Sequence, residues 1–231
     1  MFKKDKVFLL IKRIVFFIFM VILLLAASFP MQFFSYDLGI FYRSKLWILI
    51  YLLLIFLIYK LIDRTDKKRF KDASTWYEKR TRININWVFK LIIFIGIFLL
   101  VNGLISFIFE YLNFGVALNQ EIVENELRDF PVKWWLYIHI ILGGPLLEEL
   151  VFRKLFMALF FTEDKLRSNI LAILVSSLIF GLMHENHLSP FLIFYSLPGL
   201  LLALIYRYSK DIRFSILVHI INNLISVWTL L

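Results

Sequence analysis

The stretch at residues 134–161, WWLYIHIILGGPLLEELVFRKLFMALFF, is apolar enough to cross a lipid bilayer, yet it contains four charged side chains. A membrane-spanning helix needs about 20 mostly apolar residues. Glu148, Glu149, Arg153 and Lys154 therefore lie where hydrocarbon is expected. A charge at the centre of a bilayer costs about 2.5 to 3.5 kcal/mol on insertion scales, so such groups usually face the bundle interior and serve function. The stretch predicts a membrane helix with a buried polar face.

The whole chain has the composition of an integral membrane protein. Of its 231 residues, 61% are hydrophobic and the mean hydropathy is +0.81, whereas about half of the residues of a soluble domain are apolar. The absence of cysteine excludes disulfides, thiolate metal ligands and a thiol nucleophile. The net charge of +9 lies in short stretches between apolar runs, so it indicates membrane topology and argues against nucleic acid as a partner.

Apolar runs of spanning length predict an all-α fold, a polytopic membrane helical bundle of about seven transmembrane helices. Pro198 and Gly199 in the sixth run indicate a kinked or broken helix. We expect a single membrane domain over residues 1–231, with variable N-terminal helices at 1–133 and the core with the candidate site at 134–231. The seven runs are 14–29, 46–62, 87–109, 134–161, 169–184, 190–206 and 214–231.

Charged residues between the runs predict the orientation. Five Lys or Arg residues precede the first run, and residues 63–82 carry eight against four acidic residues, so the positive-inside rule places both in the cytoplasm. Residues 110–133, with an acidic balance, then fall outside. We expect a multi-pass protein of the cell membrane with a cytoplasmic N-terminus. The first run also resembles a signal peptide, and its removal would leave the later helices oriented as before.

The four charges of the fourth run have different local partners. Glu149 and Arg153 are four residues apart with the acid first, a spacing that favours an ion pair with a structural role. Lys154 can extend its ammonium group toward the cytoplasmic interface. Glu148 is left without a local partner. It is a candidate general base, the alternative being a protonated side chain bonded to a backbone carbonyl.

Two other runs carry polar side chains that would face the same interior. Phe180 and His184 lie four residues apart in FGLMH, and His219 and Asn223 lie four apart in HIINN, so each pair shares a helix face. Together with Glu148 they supply a base, a second group to hold water and donors for an oxyanion. This combination predicts water-mediated hydrolysis of a peptide bond.

The same side chains are compatible with a metal site. Glu148, His184 and His219 would be a zinc ligand set with an open water position, although no HExxH helix supports it. Without a metal, Glu148 and His184 would hold and deprotonate water, and His219 and Asn223 would stabilise the oxyanion. The sequence leaves both alternatives open.

Other polar residues are expected to be structural or solvated. We expect His139 to be a hydrogen-bonded interior residue and His187 to lie in a solvated loop. Asn222 points about 100° away from Asn223 on a helix, which makes it the weaker partner of His219. Ser176 and Ser177 lack a Lys or His at a helical spacing that would activate them.

The motifs EELVFR, FGLMH and HIINN resemble the EExxxR, FxxxH and HxxxN motifs of the CPBP intramembrane protease family, also called the Abi or type II CAAX prenyl endopeptidase family. The resemblance covers roughly residues 134–231. It implies that Glu148 and His184 activate water and that His219 and Asn223 form the oxyanion site. It also implies supporting roles for three residues, which are Glu149, Arg153 and Phe180.

The resemblance also suggests cofactors and partners. Family members are described as metalloproteases or as metal-independent glutamate-type proteases, so a divalent metal such as zinc stays an alternative. The chain is similar to the bacterial members, which implies a peptide or small membrane protein as the substrate within the bilayer. A non-catalytic bacteriocin-immunity or scaffold protein of the same family is the alternative function.

Overall fold

The computed structural model describes residues 2–33, 46–69, 75–76, 78–115, 117–129, 133–185 and 187–230. Every regular element in these ranges is a helix. The fifth element, α5, is a continuous helical run from Lys133 to Phe160. The others are α1 Phe2–Phe33, α2 Leu46–Arg69, α3 Ile85–Tyr111, α4 Leu118–Asp129, α6 Leu166–His184, α7 Pro190–Ser209 and α8 Ile212–Leu230.

The predicted all-α membrane bundle is confirmed. Within the described residues, five helical segments are long and apolar enough to cross a membrane, and they are Lys6–Ser28, Ile85–Tyr111, Leu166–His184, Pro190–Ser209 and Ile212–Thr229. Five such segments make this a multi-pass membrane protein. Helices α2 and α5 lie where two more spans are predicted but are not among the five. The number seven, the division at residue 133 and the cytoplasmic N-terminus stay predictions.

Helix α5 alternates between α-helical and π-helical turns. The π-helical turns are His139–Gly143 and Glu149–Leu155, and α-helical turns precede, separate and follow them. A π-helical turn holds more residues than an α-helical one, so it rotates the side chains that follow, and such turns are frequent at functional sites. The second change from α-helical to π-helical turns falls between Glu148 and Glu149, two adjacent acids that have different partners.

Helix α5 is also the buried centre of the bundle. Its residues Leu147, Val151 and Phe152 are at most 1% exposed and form a core with side chains of α1 and α2. Many apolar side chains of α1 and α3 are exposed instead, as expected for lipid-facing helices. The helix that carries the charges is therefore shielded from lipid by its neighbours, which reduces the cost of charge in the membrane.

Helices α6 and α7 approach each other closely at Gly199. A side chain at Gly199 would lie 2.9 Å from Cδ1 of Phe180, so glycine permits this contact. Helix α7 runs unbroken from Pro190 to Ser209 although Pro198 lies inside it, so of the kinked or broken helix predicted from the sequence the break is wrong and the kink stays a prediction. The Gly199 carbonyl accepts a hydrogen bond of 3.1 Å from Arg153 Nη2, which ties α7 to α5.

Three basic segments meet at one end of the bundle, which we call the basic end. They are the segment before α3, the α5–α6 connection and the α7–α8 connection, and the charge pattern places all three on one side of the membrane. The backbone N–H of Thr75 donates to the Thr162 carbonyl at 3.0 Å, and that of Lys79 donates to the Lys210 carbonyl at 2.6 Å. These bonds join the segment before α3 to the α5–α6 and α7–α8 connections. The three basic segments therefore share one side, as their common charge predicts.

Asp211, in the α7–α8 connection, makes the stability of the basic end depend on pH. Burial alone would raise the pKa of Asp211, but hydrogen bonds from Arg213 and Thr81 outweigh it and lower that pKa to about 2. The ordinary pKa of Asp is about 3.9. Because the pKa in the folded state is the lower one, the stabilisation is complete above about pH 4 and is lost as the pH falls toward 2.

We therefore expect Asp211→Asn to lower the melting temperature at pH 7 and to flatten its decline between about pH 4 and 2. The measurement is a series of thermal melts of wild type and variant in detergent across this range. If the Asp211→Asn protein kept the wild-type acid slope, that result would contradict the assignment.

Candidate active site

Glu148 lies at the α-to-π junction of α5 and faces two imidazole rings. Its Oε2 atom is buried and has no hydrogen-bond partner among the residues that the structure describes. The Nε2 atoms of His184 and His219 each lie 3.9 Å from this oxygen. That distance is too long for a direct hydrogen bond, and one water molecule would bridge it. The structure thus brings three of the predicted site residues together around one small space.

His184 ends helix α6 and has a defined tautomer. Its Nδ1 lies 2.9 Å from the Phe180 carbonyl oxygen. A carbonyl oxygen only accepts hydrogen bonds, so Nδ1 carries the hydrogen and Nε2 of the neutral ring presents its lone pair toward Glu148. The ring also stacks on Tyr195 with centroids 5.2 Å apart, which fixes its plane.

His219 is held by Glu149, the acid next to Glu148 in the sequence. Its Nδ1 lies 3.0 Å from Glu149 Oε1. Glu149 also accepts a hydrogen bond from the Ser215 hydroxyl and pairs with Arg153 at 3.3 Å. The Glu149 carboxylate only accepts hydrogen bonds, so Nδ1 of His219 carries the hydrogen and donates to it. The other ring nitrogen, Nε2, faces Glu148. The spacing predicted the pair of Glu149 with Arg153, whereas it gave no sign of His219 or Ser215.

Phe180 connects the ion pair to the two imidazoles. The guanidinium carbon of Arg153 lies 4.2 Å from the centroid of the Phe180 ring, a cation–π contact. The same ring lies 4.4 Å from the His184 ring and 5.7 Å from the His219 ring, measured between centroids. Phe180 is therefore a packing residue of the site, as the motif resemblance implies.

Asn223 ends a chain of three carboxamides. Its Nδ2 donates to the Ile140 carbonyl at 2.9 Å, and its Oδ1 accepts from Asn222 Nδ2 at 3.3 Å. Asn222 Oδ1 in turn accepts from Asn102 Nδ2 of α3 at 2.9 Å. The chain fixes the amide orientation of Asn223. Sequence reasoning missed Asn102. It could have been recognised as a polar amide in the middle of an apolar run, where polar residues usually face the bundle interior.

A cavity of about 350 Å³ adjoins these side chains, and His184, His219 and Asn223 form part of its wall. None of its described lining residues is charged. The remainder of the wall mixes aliphatic and hydroxyl side chains with aromatic and amide-bearing ones, and the latter include Phe98, Phe194, Tyr195, Asn102, Gln120 and Asn222. Such a surface suits a neutral chain segment with backbone groups to bind.

The other polar residues take the structural positions expected of them. His139 is buried, and its Nδ1 lies 2.8 Å from the Tyr51 hydroxyl. Ser176 and Ser177 each donate a 2.8 Å hydrogen bond to a backbone carbonyl, and the side chain of His187 is 70% exposed.

Lys154 extends toward the basic end, and its ammonium group has a partner there. Its Nζ pairs with Glu78 Oε2 at 3.0 Å, and both side chains are about one-fifth exposed, at 18% and 21%. Glu78 lies in the segment before α3. The Lys154 side chain therefore links α5 to the basic end.

Glu148, His184 and His219 do not fit a bound zinc ion as they are placed. No set of three His, Asp or Glu residues in the described ranges forms a metal-ligating group. The separations of 3.9 Å exceed the distance of about 3.4 Å between two ligand atoms of a tetrahedral zinc with bonds of about 2.1 Å.

Comparison with known proteins finds a family similarity over the same region. A family model described as type II CAAX prenyl endopeptidase Rce1-like matches residues 130–225. The membrane-embedded CAAX protease MroQ of Staphylococcus aureus (strain USA300) is 36% identical over 83 residues, which are 35% of this chain and 33% of that protein. "Putative membrane peptidase YdiL" of Bacillus subtilis (strain 168) is 29% identical over 114 residues, 49% of this chain and 45% of that protein.

These matches span less than half the length of each curated relative. No solved structure matches the chain.

The five apolar helical segments, with a carboxylate oxygen facing two imidazoles between them, are those of a multi-pass membrane protein with a polar interior site. Residues 130–225 of the chain are similar to the type II CAAX prenyl endopeptidase Rce1-like family, in agreement with the resemblance read from the sequence. The three motifs all lie within this matched region.

Proposed function

We propose that the chain is an intramembrane endopeptidase that hydrolyses a peptide bond of a membrane-associated peptide or small membrane protein. The observation that supports it is the convergence of Glu148 Oε2 with the Nε2 atoms of His184 and His219, each 3.9 Å from that oxygen. A water molecule held there donates its two hydrogens to Glu148 Oε2 and His184 Nε2. The Rce1-like match supports a membrane protease rather than the non-catalytic immunity protein.

In the first step, water attacks the scissile carbonyl carbon. Glu148 removes one proton from that water, and the His184 Nε2 lone pair holds the other hydrogen, which orients the oxygen for attack. The carbonyl π electrons move to its oxygen and give a tetrahedral oxyanion. The site thus needs no serine or cysteine nucleophile.

In the second step, His219 and Asn223 stabilise the oxyanion until the C–N bond breaks. His219 enters and leaves the cycle with hydrogen on both ring nitrogens, so that Nδ1 donates to the Glu149 carboxylate, Nε2 donates to the oxyanion and no net proton is taken up. The second amide hydrogen of Asn223 is the other donor. The proton taken by Glu148 passes to the leaving nitrogen, so the products are a carboxylic acid and an amine and Glu148 is restored.

The test of the proposal compares membrane peptides in native cells with and without the chain. We expect uncut peptides to accumulate in cells that lack it, and the purified chain in liposomes to cut a synthetic copy of such a peptide. The masses of the two products should sum to that of the substrate plus one water. We expect cutting to persist with a divalent-metal chelator present, and its loss there would support the metal alternative instead.

The carboxamide chain gives a prediction about Asn102, which lies outside the region matched by the family model. We expect Asn102→Ala to lower kcat about five- to tenfold with little change in KM, because one hydrogen bond that positions Asn223 is lost. Ser106→Ala is the matched control, since it removes a polar group from the same helix and the same cavity wall.

A double-mutant cycle separates positioning from general packing. If Asn102 acts through Asn223, Asn102→Ala should have no further effect on kcat in an Asn223→Ala background. Equal effects of Asn102→Ala in both backgrounds would contradict the positioning role.

A further inference from the structure

A groove at the basic end of the bundle is lined by none of the candidate active-site residues. This groove, of about 520 Å³, opens between the start of α3, the end of α7 and the start of α8. Its wall combines two cations with amide and aromatic side chains, and it includes Arg82, Lys90, Asn84, Asn86, Trp87 and Tyr208. Cations beside aromatic rings are typical of the boundary between hydrocarbon and headgroups.

The charge of this groove is unbalanced. Arg82 and Lys90 are exposed, and no acidic side chain is among the residues that line the groove. Asp211 lies 3.5 Å from Trp87 Nε1 and is already bound by the Arg213 guanidinium. The groove therefore presents two positive charges that an anion would neutralise.

An apolar groove of about 180 Å³ continues from the first one. The two share Phe94 and Tyr208. From there the second groove follows α3 to Phe98 and α7 to Leu201, and its described wall is otherwise aliphatic. The apolar groove extends about 6 Å along α3 and about 10 Å along α7, compared with about 15 Å for the hydrocarbon of one leaflet. It therefore holds the part of an acyl chain that is nearest to the headgroup.

We propose that these two grooves form a binding site for an anionic glycerophospholipid. The headgroup phosphate binds Arg82 and Lys90, with the side-chain amides of Asn84 and Asn86 as further donors. One acyl chain lies in the apolar groove between α3 and α7. Free phosphate would satisfy the cations alone, so the continuous apolar groove is what selects a lipid.

The site borders the candidate active site without depending on its chemistry. Phe98 lines both the apolar groove and the cavity beside His184 and His219. Its side chain therefore separates the proposed acyl chain from the catalytic cavity. Lipid binding can be measured whether or not the chain cuts a peptide.

The experiment measures lipid binding to the full chain purified in neutral detergent. The probes are phosphatidylglycerol, phosphatidylcholine with the same acyl chains, and glycerol phosphate, each followed by native mass spectrometry and by the melting temperature. We expect phosphatidylglycerol to bind most tightly and to raise the melting temperature most. Glycerol phosphate that binds as tightly as phosphatidylglycerol would overturn the proposal in favour of a simple anion site.

Two variants of equal charge test the headgroup position. We expect Arg82→Gln with Lys90→Gln to weaken phosphatidylglycerol binding about 30-fold, from about 1 kcal/mol for each cation near an anionic lipid. Arg80→Gln with Arg167→Gln removes the same charge from exposed positions outside the groove and should leave binding near the wild-type value. Equal losses in the two double variants would show a diffuse surface attraction and overturn the site.

A third variant tests the acyl chain. Leu204, 46% exposed, and Ile97, 51% exposed, line the apolar groove on opposite helices, so tryptophan at either position fills it without disturbing the buried core. We expect Leu204→Trp to weaken phosphatidylglycerol binding and to leave glycerol phosphate unaffected. Ile97→Trp repeats the test if the first variant fails to fold. Unchanged lipid binding in a folded variant would overturn the assignment of the acyl chain.

Discussion

Glu148→Gln is expected to lower the rate of peptide cleavage about 100- to 10 000-fold, the range that a general base contributes. Glutamine has nearly the same volume and keeps a carbonyl oxygen, but it cannot take a proton from water. The NH2 group of the glutamine amide could also donate directly to the imidazole of His184, in the place that the water molecule occupies in our proposal. The measurement is the rate of product formation from a membrane peptide by the purified chain in liposomes.

The same substitution should leave the fold intact or make it more stable. Glu148 Oε2 is buried without a hydrogen-bond partner in the described part of the chain, and such a group destabilises the folded state. A neutral side chain removes this burden, so we expect the melting temperature of the variant to equal or exceed that of wild type. Glu110→Gln, at an exposed position of α3, is the matched control and should change neither quantity.

His184→Gln provides an independent arm of this experiment. If Glu148 and His184 act on the same water, the double variant should be no slower than the slower single variant, because residues that act as a unit are not additive. Wild-type cleavage by correctly inserted Glu148→Gln protein would refute the role of Glu148. Fully additive losses would instead assign the two residues to separate steps.

The sequence predicted those features of the fold that depend on local spacing. Apolar runs gave helices at the observed places, and a spacing of four put Glu149 beside Arg153 and Phe180 beside His184. These contacts lie within one helix, where the backbone geometry fixes which side chains meet. Glu148 was singled out for the same reason, since it had no neighbour at a helical spacing.

Contacts between helices could not be predicted in this way. The Nδ1 contact of His219 with Glu149 joins residues 70 positions apart, and the bond between Asn102 and Asn222 joins residues 120 positions apart. Helical periodicity assigns a face to each side chain but does not say which helix that face meets. The π-helical turns were also missed, because a period of 3.6 residues was assumed throughout 134–161.

Arg153→Met is expected to destabilise the protein by about 3 to 5 kcal/mol, the cost of removing one partner from a buried ion pair. Arg153 and Glu149 are both fully buried, so Glu149 would be left as a buried carboxylate without its guanidinium partner. Lys154→Met is the matched control at the next position. Its pair with Glu78 is partly exposed, and the loss should be at most about 1 kcal/mol. The measurement is the free energy of unfolding in mixed detergent micelles.

Removing both charges separates stability from activity. In the Glu149→Gln, Arg153→Met double variant no buried charge is left unpaired, so we expect most of the lost stability to return. Cleavage should stay impaired, because the neutral glutamine side chain cannot stabilise the doubly protonated His219 ring that donates to the oxyanion. A double variant as unstable as Arg153→Met alone would show that Arg153 stabilises the bundle through Gly199 and Phe180, and not by neutralising Glu149. Full recovery of cleavage would show that the Glu149 carboxylate is not needed for the proposed mechanism. The orientation of His219 would then depend on its other contacts.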